Sequence, residues 1–181
     1  MDGELLRTSR LILRRFTHAD GPRIVELDAD PDVVRYVGIP VGETTLATWN
    51  ERIWPRTISW YERGPEYGVF AAHTRDDEKF IGWFLYRPHQ EITPEDPELG
   101  YRFAKNAWGN GYATEGAEAL LSRGFREVGD ARVHARAEKP NVASWRVMEK
   151  LGMCYERLVI QPNGIREVRY AIGRDTWRRI T

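Results

Sequence analysis

A chain of 181 residues, 41% hydrophobic and 30% charged, has the make-up of one ordinary globular domain, which excludes the disordered and fibrous classes. Its 27 basic and 27 acidic residues cancel, so the broad positive field of a protein that lives on nucleic acid or anionic membrane is not expected, and small molecules or peptides are the expected partners. No apolar run approaches the about 20 residues of a membrane span, no signal-peptide pattern opens the chain, and Cys154 stands alone, so a cytoplasmic protein without an internal disulfide is expected.

In chain order, Arg10 to Phe16 is apolar and strand-like, and Thr17 to Asp20 then offers helix-starting residues before Ile24, Val25 and Leu27. Asp30 to Val37 predicts a short second helix capped by Asp30 with Pro31 in its first turn, broken by Gly38 to Gly42. Thr44 to Arg63 reads as helical, with a kink or a division at Pro55, which removes a backbone donor. Tyr67 to Thr74 and Lys79 to Arg87 read as a hairpin, residues 88 to 97 as a loop rich in proline and acids, and Glu98 to Phe103 as an alternating strand. A helix over about residues 112 to 128 follows, with Ala113, Ala117, Leu120, Leu121, Phe125 and Val128 at helical spacing, and then a strand from Arg132 to Ala137. Asn141 caps a further helix carrying Trp145, Met148 and Leu151, closed by Lys150 and Gly152. Two last strands, Met153 to Ile160 and Arg166 to Ile172, flank the turn signal Gln-Pro-Asn-Gly. Such mixing, without strict alternation or repeats, predicts an α/β fold of three layers around a mixed sheet.

Residues Trp108 to Glu115, Trp-Gly-Asn-Gly-Tyr-Ala-Thr-Glu, lie between a strand and a helix and have the form of a phosphate cradle. Glycines let the backbone approach a ligand closely, and the helix start aims N–H groups and the positive end of its dipole at it. The segment begins like a dinucleotide fingerprint but has Thr114 at the third glycine position, and it has no P-loop lysine. A dinucleotide site, another phosphate site and a purely structural glycine turn all stand at this point.

A second segment narrows the choice. Asn141-x-x-Ser144 followed by Lys150-Leu-Gly-Met153, together with Glu98-Leu-Gly-Tyr101 and Trp108-Gly-x-Gly-Tyr-Ala-Thr-Glu115, resembles the GNAT N-acetyltransferases, in particular the RimJ/RimL-type ribosomal-protein acetyltransferase branch. Thr8 to Arg14 and Val168 to Ile172 suit that branch too, so the resemblance covers nearly the whole chain. It implies one domain over residues 1–181 with the acyl-CoA N-acyltransferase fold, an α/β/α sandwich whose central sheet splays apart, here between residues 98 to 104 and 131 to 137. It implies acetyl-CoA as co-substrate, held by main-chain groups of Trp108, Gly109, Asn110, Gly111, Tyr112, Ala113 and Thr114 and by Asn141. Trp108 departs from the polar residue of the family motif, a change that backbone recognition tolerates.

The resemblance also places Ser144 where its hydroxyl reaches the thioester sulfur. Many relatives carry an acid tyrosine four residues later, where this chain has Met148, which leaves Tyr155 as a fallback. Only a neutral amine attacks a thioester, and at pH 7 deprotonation costs a lysine-like amine about 4–5 kcal/mol but an α-amine only about 1. Glu98 is the candidate base, acting directly or through a water. Glu91, Glu95 and Asp96 make an acidic approach to it, and Trp49, Trp54, Trp60, Trp83 and Tyr86 are dense enough to line an acceptor pocket, though core packing accounts for most of them. His18, His73, His89 and His134 have no metal-ligand spacing, and Cys154 reads as a buried strand thiol. The expected activity is acetyl transfer to a small-molecule amine or a peptide N-terminus, with a homodimer among the open oligomeric states. The rivals are an acetyl-CoA-binding module that has lost catalysis and a dinucleotide-dependent oxidoreductase, against which the missing third glycine argues.

Overall fold

The computed structural model describes residues 3–64, 66–89 and 93–180. Among these residues, eight strands form one sheet in the order β1-β2-β3-β4-β5-β6-β8-β7: β1 (Glu4–Arg7), β2 (Leu11–Arg15), β3 (Gly68–Thr74), β4 (Phe80–His89), β5 (Thr93–Phe103), β6 (Arg132–Glu138), β7 (Cys154–Ile160) and β8 (Arg166–Gly173). Six of the seven pairings are antiparallel, and β5 with β6 is the parallel one. Among the described residues that pair registers at a single position, Glu98 opposite His134, so the sheet splays where the family resemblance places the opening.

Alternation along β3 shows how the layers are built. Phe70 and Ala72 point to one face, where α5 (Tyr112–Arg123), α6 (Val142–Lys150) and α7 (Arg174–Ile180) bury Leu120, Leu121, Phe125, Met148, Leu151 and Trp177. Val69 and Ala71 point to the other, against Ile24 of α1 (Gly21–Ala29) and Trp49, Ile53 and Trp54 of the helical run from α3 (Leu46–Thr48) into α4 (Trp54–Tyr61). The short α2 (Pro31–Val34) completes that layer, with the Asp30 side chain accepting from the Asp32 amide as a cap. The three-layer arrangement is the expected one. No helix among the described residues is long and apolar enough to cross a membrane.

Several expectations need correction. Between α3 and α4 the backbone widens over Trp49–Ile53, with the Trp54 amide reaching back to the Trp49 carbonyl, so the break expected at Pro55 falls one turn before it. Residues 88 to 97 are not a simple loop, because β4 runs on to His89 and β5 starts at Thr93. Pro88 faces Pro97 across that ladder, a pair in which neither residue has a donor to lose. Cys154 is exposed rather than buried: β7 closes the sheet at its edge, and its residues from Cys154 to Arg157 all face solvent. Strand β1 and helix α7 have no counterpart in the sequence reading.

Candidate active site

The glycine turn is built by two left-handed residues. Gly109 has φ 77° and Gly111 φ 80°, which side-chain-bearing residues avoid, and Gly111 caps the twelve-residue α5. The first-turn amides of Tyr112, Ala113 and Thr114 have no intrahelical acceptor by geometry, so they suit an anion, and the space beyond the Gly109 Cα is open for 4 Å. The Trp108 side chain is turned to the protein, its indole N–H donating to the Phe103 carbonyl at 2.8 Å, so only its main-chain groups are left for an anion. The residues present therefore fit the pyrophosphate of a coenzyme A thioester.

Glu115 in the first turn of α5 would repel that anion were it not neutralised. It accepts from the Thr8 and Ser9 hydroxyls, the Arg10 amide at 2.8 Å and Arg10 Nε at 2.6 Å, while Arg10 Nη1 holds the Asn110 carbonyl at 2.9 Å. Burial alone would raise the Glu115 pKa, but these hydrogen bonds outweigh it and bring it down to about 2. The stabilisation is thus fully present above its ordinary value of 4.5 and is lost as pH falls towards about 2. Glu115→Gln is expected to lower stability at pH 7 by about 1–2 kcal/mol, with the gap to the parent closing below about pH 4 in acid-unfolding curves.

A cleft of about 620 Å³ opens where β5 and β6 part, bounded also by the turn after α2, by β4, by the start of α6 and by the β7–β8 hairpin. Among the residues expected from sequence, Glu98, Asn141 and Ser144 meet on its walls. The glycine turn does not line it but stands beyond the far end of β5. Asn141 Oδ1 accepts from the Ser144 amide at 3.3 Å, so its capping role is present. Met148 lies in the cleft wall, whereas Tyr155 is exposed on β7 and lines none of it. Of the five aromatics considered for an acceptor pocket, Trp83 lines the cleft; Trp49, Trp60 and Tyr86 are core, and Trp54 packs beside Trp49.

The two faces of β5 divide the chemistry. Tyr101 points to the α6 side, where its hydroxyl donates to the Ser144 carbonyl at 2.7 Å and lies 3.3 Å from Ser144 Oγ. Burial pushes the Tyr101 pKa up to about 12, so the phenol stays protonated at neutral pH and keeps its hydrogen bond to Ser144. Alternation in Glu98–Phe103 showed that Tyr101 faces inward, but only the fold brings it to Ser144.

Glu98 points to the opposite face. It is 6% exposed and accepts from Arg136 Nε at 2.8 Å, while Arg136 Nη1 reaches Glu167 at 3.1 Å and Arg169 Nε reaches the same carboxylate at 3.0 Å. Glu138 also lines the cleft, its pKa raised by burial and by Glu167. Asp96 is engaged by His134 Nε2 at 3.0 Å rather than free as an approach residue, and Glu91 and the Glu95 side chain lie outside the described residues. Arg136 and Tyr101 are the site residues that sequence reasoning missed.

A family model described as an acetyltransferase (GNAT) domain matches residues 10–154. The chain belongs to the GNAT acetyltransferase family. It is 30% identical over 190 residues to FsC-acetyl coenzyme A-N(2)-transacetylase of Aspergillus fumigatus, covering 97% of this chain and 78% of that one. A GNAT-family acetyltransferase structure from Bacillus anthracis superposes with a TM-score of 0.75 at 27% identity, covering 94% of this chain and 98% of the other. The RimL ribosomal L7/L12 alpha-N-protein acetyltransferase, in complex with coenzyme A, gives a TM-score of 0.80 at 16% identity over 96% and 99% of the two chains, a likeness of fold. As a GNAT enzyme, the protein draws its acyl group from an acyl-CoA.

Proposed function

We propose that the protein transfers acetyl from acetyl-CoA to a primary amine, a small molecule or a peptide N-terminus, by direct attack in a ternary complex, with the whole chain acting as one domain. The observation that carries this reading is the parting of β5 from β6 after Glu98, which opens one cleft to both faces of the sheet. Main-chain groups of residues 108 to 114 hold the pyrophosphate, Asn141 contacts the donor beside its cap role, and acetyl-CoA supplies an activated thioester. Glu98 takes the amine proton, directly or through a water, from the face that carries Arg136. The amine nitrogen forms the new C–N bond as the thioester C–S bond breaks. The Ser144 hydroxyl donates a hydrogen bond to the departing thiolate, which is protonated from solvent as coenzyme A leaves, and Tyr101 holds Ser144 in place through its carbonyl at 2.7 Å.

Ser144→Ala is expected to lower kcat about tenfold, the worth of one hydrogen bond to a developing charge, with near-normal acetyl-CoA binding. Retained kcat would leave Ser144 a structural residue. The function itself is tested by free-thiol release from acetyl-CoA against a panel of amines and N-terminal peptides. Acetyl-CoA binding with no release on any acceptor would favour a binding module over an enzyme.

A further inference from the structure

Three arginines line the cleft, and two of them are engaged by carboxylates. Arg136 holds Glu98 and Glu167, and Arg169 holds Glu167. Arg87 differs. Its guanidinium lies over the Trp60 ring, 4.6 Å from the centroid, and Nη1 donates to the Pro88 carbonyl at 3.4 Å, a long bond; among the described residues it hydrogen-bonds no carboxylate. Burial disfavours its charge, nearby Glu98 favours it, and Arg56, Arg136 and Arg63 oppose it in turn. A half-buried guanidinium with an aromatic face and a weak carbonyl contact has most of its donor fork unused.

Position shows what the fork faces. Arg87 stands directly opposite Glu98 in the β4–β5 ladder, so the two side chains leave the same face of the sheet with Cβ atoms about 5 Å apart. From Glu98 to Phe103, where β5 delivers the chain towards the glycine turn, five residues of strand span about 17 Å. The phosphates of a donor held at that turn therefore lie away from Arg87, and an anion at Arg87 belongs to the acceptor.

Resting on the amine-acetyltransferase reading above, we infer that the acceptor is an amine that also carries a carboxylate, with Arg87 binding the carboxylate and Glu98 facing the amine. Arg87 is then a specificity residue, and the bidentate fit of guanidinium to carboxylate sets the orientation of the amine. Both a free amino acid and a peptide with an acidic side chain near its N-terminus have this chemistry.

The test is thiol release from acetyl-CoA with matched acceptors: β-alanine and γ-aminobutyrate against their primary amides, and an acidic N-terminal peptide against the same peptide with its acidic side chains amidated. The carboxylate forms are expected to exceed their amides by about tenfold or more in kcat/KM, the worth of one charge-assisted pair. Preference in the amino-acid arm or in the peptide arm identifies which source of the carboxylate is used. Arg87→Met is expected to abolish the preference and Arg87→Lys to keep part of it, with melting curves confirming that each variant is folded. Amides used as well as their acids, a comparison that needs no variant, or a preference unchanged in folded Arg87→Met, would overturn the inference. Thiol release with none of these acceptors but with other amines overturns it alone, whereas no release with any amine overturns the parent reading as well.

Discussion

Replacing Glu98 with glutamine is expected to lower kcat/KM by about 10²–10³ and to flatten the acidic limb of its pH profile. Glutamine is the right size to keep the Arg136 contact seen at 2.8 Å, and Arg136 retains Glu167, so the cleft wall stays in place while the group that accepts a proton is lost. The loss should depend on the acceptor. An alkylamine needs about 4–5 kcal/mol to reach its neutral form at pH 7 and an α-amine about 1, so the variant should fall further behind on the former. A profile whose acidic limb survives would take Glu98 out of the base role and leave it an ion-pair residue between β5 and β6.

Arg14→Met is expected to cost about 3–5 kcal/mol of stability, a fall of roughly 10 °C in melting temperature for a domain of this size. Asp20 is fully buried, and Arg14, nearly as buried, grips it through two 2.7 Å bonds. Thr17 donates to it from its amide at 2.8 Å and from its hydroxyl at 3.1 Å, and Arg23 adds a second cation at 2.7 Å from a more exposed position. Burial pushes the Asp20 pKa up, yet the bonds from Arg14, Thr17 and Arg23 win and hold it well below the usual carboxylate range. Its stabilisation is present at neutral pH and is lost only as pH falls below its ordinary value of 3.8, so the variant should also show a shallower acid dependence in that region. The cost comes from stranding a buried charge, so Arg14→Met combined with Asp20→Asn should recover part of it. A double variant no more stable than the single would show that packing of the arginine stem, not the charge, carries the effect.

Much of this was legible in the chain because it was local. The apolar and β-forming runs of β2 and β3, the alternation in β5, the Asp30 and Asn141 caps and the glycines before α5 are each written within a few residues. What escaped is set by residues far apart. Glu98 was visible as a strand-end carboxylate, but Arg136, which grips it, lies 38 positions away and becomes its neighbour only through a parallel crossover. Tyr101 and Ser144 are 43 positions apart for the same reason. Cys154 misled because an apolar neighbour suggests burial, whereas exposure there depends on β7 being the last strand of the sheet. The prolines at 88 and 97 signalled a loop because nothing in the sequence shows that they face each other.

The lone Glu98–His134 register has a mechanical meaning. Five strands with α5 against them form one leaf, and three strands with α6 form another. Among the described residues, the seam between the two leaves carries one registered pair together with the Arg136–Glu98 ion pair, the His134–Asp96 contact and the Tyr101–Ser144 hydrogen bond. A substrate lodged in the seam touches both leaves, so the angle between them sets how donor and acceptor meet. Substitutions where α5 leans on α6 can therefore retune turnover while leaving every reacting group in place.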